Sequence, residues 1–142
     1  MTLETLTPRE ASIFACVCDT VVAPRPALPP VRETDAVEFV DRWLARAPRL
    51  NRAGLRALLY AAELAPRALG AKGRLRALSE AERARVLREL ERSRRTRELV
   101  KLLQGIAFIA YYGDDAIMRR LGYDASARVE RARQLRAREG RP

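Results

Sequence analysis

The run Leu99-Val100-Lys101-Leu102-Leu103-Gln104-Gly105-Ile106-Ala107-Phe108-Ile109-Ala110-Tyr111-Tyr112 decides the fold. Apart from Lys101 and Gln104 it is apolar nearly all round a helical wheel, which predicts a helix with neighbours on several sides, in the middle of a bundle. Interrupted by Lys101, Gln104 and Gly105, it is too short to span a bilayer. Gly105 predicts a close crossing with a neighbouring helix, because a missing side chain lets backbones approach. Ser93 is the expected cap ahead of the run. Behind it, Gly113-Asp114-Asp115 stops the helix and caps a short one, Ala116 to Leu121, which Gly122 ends in the left-handed role.

The same reading extends toward the N-terminus. Thr7-Pro8-Arg9-Glu10 combines a hydroxyl cap, proline at the first helical position and a glutamate that completes a capping box, so a first helix runs from Pro8 to Val22. Its apolar stripe is Ile13, Phe14, Val17, Cys18 and Val21. Pro24, Pro26, Pro29 and Pro30 remove amide donors and predict an extended connector. Thr34 or Asp35 caps a second helix to about Arg46, with Val37, Val40, Trp43 and Leu44 inward and Glu38, Asp41 and Arg42 flanking them. Trp43 is its expected core anchor. Asn51 caps a third helix with the stripe Leu55, Leu58, Leu59, Ala62 and Leu64, broken by Pro66, Gly70 and Gly73. Leu78-Ser79-Glu80-Ala81-Glu82 is a second capping box opening a fourth helix to Arg92, with Val86, Leu87 and Leu90 inward.

No alternating pattern or hairpin dipeptide suggests a strand. The expectation is an all-α, single-domain bundle of about six helices over residues 1–125, with a proline-rich connector after the first. Residues 126–142 form a basic tail that extends as a helix with a thin apolar edge at Val129, Ala132 and Leu135, or frays.

Composition narrows the function. The chain has 142 residues and no histidine, so the commonest general base and metal ligand are missing. Cys16 and Cys18, two apart on a helix, point to separate faces and read as buried apolar residues. Neither C-x-x-C-H nor G-x-G-x-x-G occurs, so no heme or flavin motif is present. An enzyme acting alone would have to use Asp19, Glu63, Asp114 or Asp115, which the sequence does not pair. The net charge of +10 includes only two lysines, Lys72 and Lys101. This leaves a basic helical nucleic-acid-binding module as the alternative reading, carried by Arg92, Arg94, Arg95 and Arg97 with the tail arginines. The N-terminal residues show neither a basic n-region nor a twin arginine, giving a cytoplasmic expectation, or a periplasmic one had a leader been removed.

Three stretches carry a resemblance: Asp35-Ala36-Val37-Glu38-Phe39-Val40-Asp41-Arg42, Leu78-Ser79-Glu80-Ala81-Glu82-Arg83, and above all the segment from Tyr111-Tyr112-Gly113-Asp114 through Met118 to Gly122-Tyr123-Asp124. Across roughly Leu6 to Asp124 the chain resembles the gluconate 2-dehydrogenase subunit 3 family, the small subunits of flavin-dependent glucose-methanol-choline oxidoreductases. The resemblance implies a non-catalytic accessory subunit that binds and stabilises a large FAD-dependent oxidoreductase in a hetero-oligomer. FAD would sit in that partner, with no cofactor, metal or catalytic residue expected here, and a cytochrome subunit is a further candidate member. Members of the family often carry a twin-arginine leader, and this sequence departs from them in showing none before Thr7. The expected partner-binding residues are Trp43, Tyr111, Tyr112, Asp114, Met118, Tyr123 and Asp124, since tyrosine supplies both contact area and a hydroxyl at interfaces. The competing reading is that Tyr111, Tyr112 and Tyr123 pack the short helix onto the bundle.

Overall fold

The computed structural model describes residues 3–23, 27–123 and 125–138. Among these, the order is α1 (Pro8–Val22), α2 (Ala36–Arg46), α3 (Arg49–Ala68), α4 (Glu80–Arg92), α5 (Arg97–Tyr112), α6 (Asp115–Arg120) and α7 (Ala125–Arg138), with 3-10 turns at Val31–Glu33 and Leu75–Ala77 and no strand. The architecture is the all-α bundle that the apolar periodicity predicts. Pro24, Pro26, Asp124 and residues 139–142 lie outside the described residues.

α5 is the hub, packing against α1, α2, α4 and α6. Its buried line is Val100, Leu103, Ala107, Ala110 and Tyr111, and α1 contributes Ile13, Phe14, Val17 and Cys18 to the same core. The Cys18 thiol donates to the Ala107 carbonyl at 3.6 Å, which marks where the two helices meet. Two expectations for α5 fail. A Cβ at Gly105 would meet nothing within 4 Å, so no helix crosses closely there. The helix is also covered on only part of its circumference, leaving Leu99, Leu102, Phe108 and Ile109 exposed.

Both capping boxes form. Thr7 Oγ1 accepts from the Glu10 amide at 3.2 Å while the Glu10 carboxylate accepts from the Thr7 amide at 2.8 Å, and Ser79 with Glu82 repeats the exchange. Elsewhere the caps differ from expectation. α3 starts at Arg49, two residues before Asn51, because Pro48 with φ −55° and ψ 150° launches the helix and its carbonyl takes the Arg52 amide. Ser93 closes α4 instead of opening α5, its amide donating to the Glu89 carbonyl; α5 begins after Thr96, whose hydroxyl ties back to the Leu90 carbonyl.

Helix ends follow glycine. α3 continues through Pro66 and then terminates at Gly70, φ +80°, where the Gly70 amide donates to Arg67 and the Ala71 amide to Pro66. α6 ends identically at Gly122, φ +77°, with the Gly122 amide on Arg119 and the Tyr123 amide on Met118. In both, two otherwise unpaired carbonyls gain donors through a left-handed residue that glycine adopts without a Cβ penalty.

The inward faces of α2 and α3 also need correction. Ala36, Val37, Val40 and Leu44 are buried, and a helical repeat centred on them leaves Trp43 on the flank, 47% exposed. Leu64 is likewise exposed, because it lies far round α3 from Leu55, Leu58, Leu59 and Ala62. Asp41, expected to flank the apolar stripe, is buried. Its carboxylate accepts the amides of Glu4, Thr5 and Leu6 at 2.6, 3.0 and 2.6 Å, binding the N-terminal segment onto α2. Burial pushes the Asp41 carboxyl up, and the three amide donors outweigh it, holding the group below the usual aspartate range.

Candidate partner-binding face

α2 and α5 run antiparallel. The Asp35 amide at the start of α2 meets Asp114 beyond the end of α5, and Phe39, one turn on, shares a cleft with Ala110 and Gly113. Trp43, a further turn along α2, therefore lies level with Ile106. On α5 the residues Leu102, Ile106 and Ile109 follow one another at helical spacing on the side that leads to Gly113, which borders the cleft with Phe39. Phe39, Trp43, Leu102 and Ile109 are exposed, Ile109 at 63%, and Ile106 is half-buried. The seam between the two helices thus presents two aromatic and three aliphatic side chains to solvent. Of the expected partner-binding residues only Trp43 belongs to it.

The others are placed differently. Tyr111 is fully buried, and its hydroxyl donates to the Pro29 carbonyl at 2.6 Å, fixing the connector onto α5. Tyr112 is half-buried between Tyr111, edge-on at 5.2 Å between ring centroids, and Phe108 at 6.1 Å. Asp114 is the N-cap of α6: Oδ1 accepts the amides of Ala116 and Ile117 at 2.8 and 3.1 Å. Its Oδ2 accepts the Asp35 amide at 3.0 Å, so one carboxylate joins the starts of two helices. Burial raises the Asp114 carboxyl, but the donors at Asp35, Ile117 and Ala116 prevail and hold it below the usual range. Met118 is half-buried on α6. Tyr123 is exposed, with the Arg128 guanidinium stacked 4.7 Å from its ring centroid. Asp124 lies outside the described residues. The Tyr111 to Tyr123 segment therefore serves first to lock α6 and the connector to α5.

The residues considered for catalysis are dispersed among structural duties. Asp19 accepts the Val31 amide at 3.1 Å. Glu63 is fully buried, bonded by Arg76 Nε at 3.0 Å and by the Arg76 amide, which clips the 3-10 turn at Leu75–Ala77 to α3. Asp114 and Asp115 border a cleft of about 390 Å³ with Glu33, Asp35, Arg42 and Arg119, where acidic and basic groups are mixed. Among the described residues no group of three or more His, Cys, Asp or Glu side chains could hold a metal ion. The Cys16 and Cys18 thiols are buried and unbridged; burial pushes Cys18 up to about 12, and raises Cys16 despite the adjacent Arg83.

The basic residues are partly engaged locally. Arg92 pairs with Glu89 at 2.7 Å and Arg97 Nε donates to the Glu91 carbonyl, while Arg94 and Arg95 are exposed in the α4–α5 turn. α7 is a helix whose side chains from Ala127 to Arg138 are all exposed, with Val129 and Leu135 unburied like the rest. Among the described residues no helix is long and apolar enough to cross a membrane.

The sequence pattern marks Trp43 both as a core anchor and as a partner-binding candidate and places Leu102 and Ile109 in a helix with neighbours on several sides, while it gives Phe39 no role; all four are exposed. The signal that separates them is angular: each lies off the direction shared by the buried residues of its helix. No family model, curated protein or solved structure matches the chain.

Proposed function

We propose that this chain is a non-catalytic small subunit that binds and stabilises a larger FAD-dependent oxidoreductase of the glucose-methanol-choline type. The observation that carries the subunit reading is the α2–α5 seam, where Phe39, Trp43, Leu102 and Ile109 remain in water although α5 is the hub of the bundle. Tryptophan and phenylalanine set among aliphatic side chains are the composition of an interface core. The choice of a flavoprotein partner is supported by the resemblance in the Asp35–Arg42 and Tyr111–Asp124 stretches. The mechanism is linkage: a partner whose apolar surface is covered only in the complex is stabilised in proportion to occupancy.

The test compares the wild-type chain with Trp43→Asp and Ile109→Asp as bait. Both substitutions fall on exposed positions, so circular dichroism should report an intact helical fold while recovery of the flavoprotein drops by at least about tenfold, the effect of losing about 1.4 kcal/mol. Undiminished recovery with both variants refutes the face. A colourless complex that dissolves steeply as salt rises would favour the nucleic-acid alternative carried by Arg94, Arg95 and α7.

A further inference from the structure

α3 carries a second apolar face that its packing does not use. Leu50, Ala57 and Leu64 alternate with Gly54, Ala61 and Ala68 at spacings of four and three residues along the helix. All six are exposed, Leu50 at 82%. Single exposed leucines are ordinary on a protein surface. A four-three repeat sustained along most of a 20-residue helix is different, because that spacing keeps one seam in register with another helix lying alongside.

The seam is continuous with a groove. Ala61 also lines an apolar depression completed by Leu58 and Ala65 of α3, Leu90 of α4 and Leu99 of α5, with almost no polar surface. At Gly54 a Cβ would meet nothing within 4 Å, so a visiting helix can approach the backbone there.

Charge decides which helix fits. α3 contributes Arg49, Arg52 and Arg67, with Arg56 already paired to Glu10 at 3.3 Å, against one acid, Glu63, and that acid is fully buried on Arg76. Arg49 and Arg67 are exposed near the two ends of the seam, and Arg94 and Arg95 are exposed in the turn that joins α4 to α5, both of which line the groove. A second copy of this chain would bring arginine against arginine along the seam. A helix with glutamate or aspartate flanking an apolar stripe meets opposite charge instead.

We propose that the outer face of α3 and the adjoining α3–α4–α5 groove dock an amphipathic helix with acidic flanks, contributed by a partner protein. The proposal does not depend on the partner being a flavoprotein, since it rests on spacing, exposure and charge.

The experiment titrates the full chain into a fluorescently labelled synthetic helix of about three heptads, with leucine at a and d and glutamate at e and g, and into a matched helix with lysine at e and g. Fluorescence anisotropy should show binding of the glutamate helix, at least about tenfold weaker binding of the lysine helix, and a comparable loss for the Ala57→Glu, Ala61→Glu double variant. Both replaced positions are exposed, and circular dichroism checks that the variant keeps its helicity. No binding of the glutamate helix, equal binding of the two helices, or an undiminished double variant overturns the proposal. So does self-association in sedimentation equilibrium that the double variant abolishes, which would make the occupant a second copy.

Discussion

Replacing Asp114 with alanine removes one carboxylate that serves three backbone amides, two at the start of α6 and one at the start of α2. Loss of an N-cap side chain costs about 1 kcal/mol, and the bond to Asp35, which lies near solvent, adds about 0.5–1 kcal/mol. The sum is about 2 kcal/mol. With an unfolding entropy near 2.1 cal/mol/K per residue, a chain of this length should melt about 7 °C lower. The damage should be local first, because α6 has only six residues and holds Ile117 in the core from a single turn. Hydrogen exchange at Met118 and Leu121, whose amides bond within α6, should accelerate before that of α1. Asp114→Asn keeps one acceptor oxygen and should cost about half as much, since its amide group turns a donor toward one of the backbone N–H groups. Asp115→Ala, one residue on and exposed, is the control and should stay within about 0.5 kcal/mol of wild type. A denaturation midpoint for Asp114→Ala no lower than that of Asp115→Ala would show that the shared carboxylate does not hold the two helix starts.

Other substitutions probe the same logic elsewhere. Asp41→Ala strands the amides of Glu4, Thr5 and Leu6 next to a buried site, and should cost about 3 kcal/mol in urea unfolding followed by circular dichroism. Asp41 and Asp114 both take up protons less readily folded than unfolded, so their contribution is complete above the ordinary aspartate value of about 3.9 and disappears as pH falls through their lower folded values. Wild type should therefore lose stability below about pH 4 by more than Asp41→Ala does over the same range. Tyr111→Phe leaves the Pro29 carbonyl without its donor and should lower stability by about 1 kcal/mol while leaving partner capture intact, because the ring is fully buried. The Cys18 thiol, held near 12 by burial and then by Asp19, should resist alkylation at pH 8 until denaturant is added, as mass spectrometry of the modified chain would show.

Local signals in the sequence fared well where they are self-contained. Thr7 with Glu10, Ser79 with Glu82, and the glycines at 70 and 122 each specify a helix end through groups within a few residues, and each forms as read. Asn51 and Ser93 misled because a capping side chain is only one way to start a helix: Pro48 does it by backbone angle, and Thr96 after an intervening turn. Placement round a helix was the harder problem. Trp43 and Leu64 are large and apolar, but burial depends on where neighbouring helices lie, and α2 and α3 are packed along Leu44 and Leu59 instead. Asp41 shows the converse. A carboxylate goes inside when three amides from the N-terminal segment arrive to meet it, and nothing local in the sequence announces contacts more than thirty residues away. The Tyr111–Asp114 stretch carries a motif, yet Tyr111 is tied to Pro29 and Asp114 to Ala116 and Ile117, whereas Phe39, Trp43, Leu102 and Ile109 are exposed apolar residues that look like core residues until the helices are assembled.

The most direct test of the subunit reading is affinity capture of the tagged chain from its own organism's lysate, reading the absorbance spectrum, the flavin content and the mass-spectrometric identity of whatever co-elutes. Capture should yield a yellow complex containing a glucose-methanol-choline oxidoreductase with FAD bound, lost when Trp43 and Ile109 are replaced by aspartate. A colourless eluate, whether it holds nucleic acid or the chain alone, would contradict it.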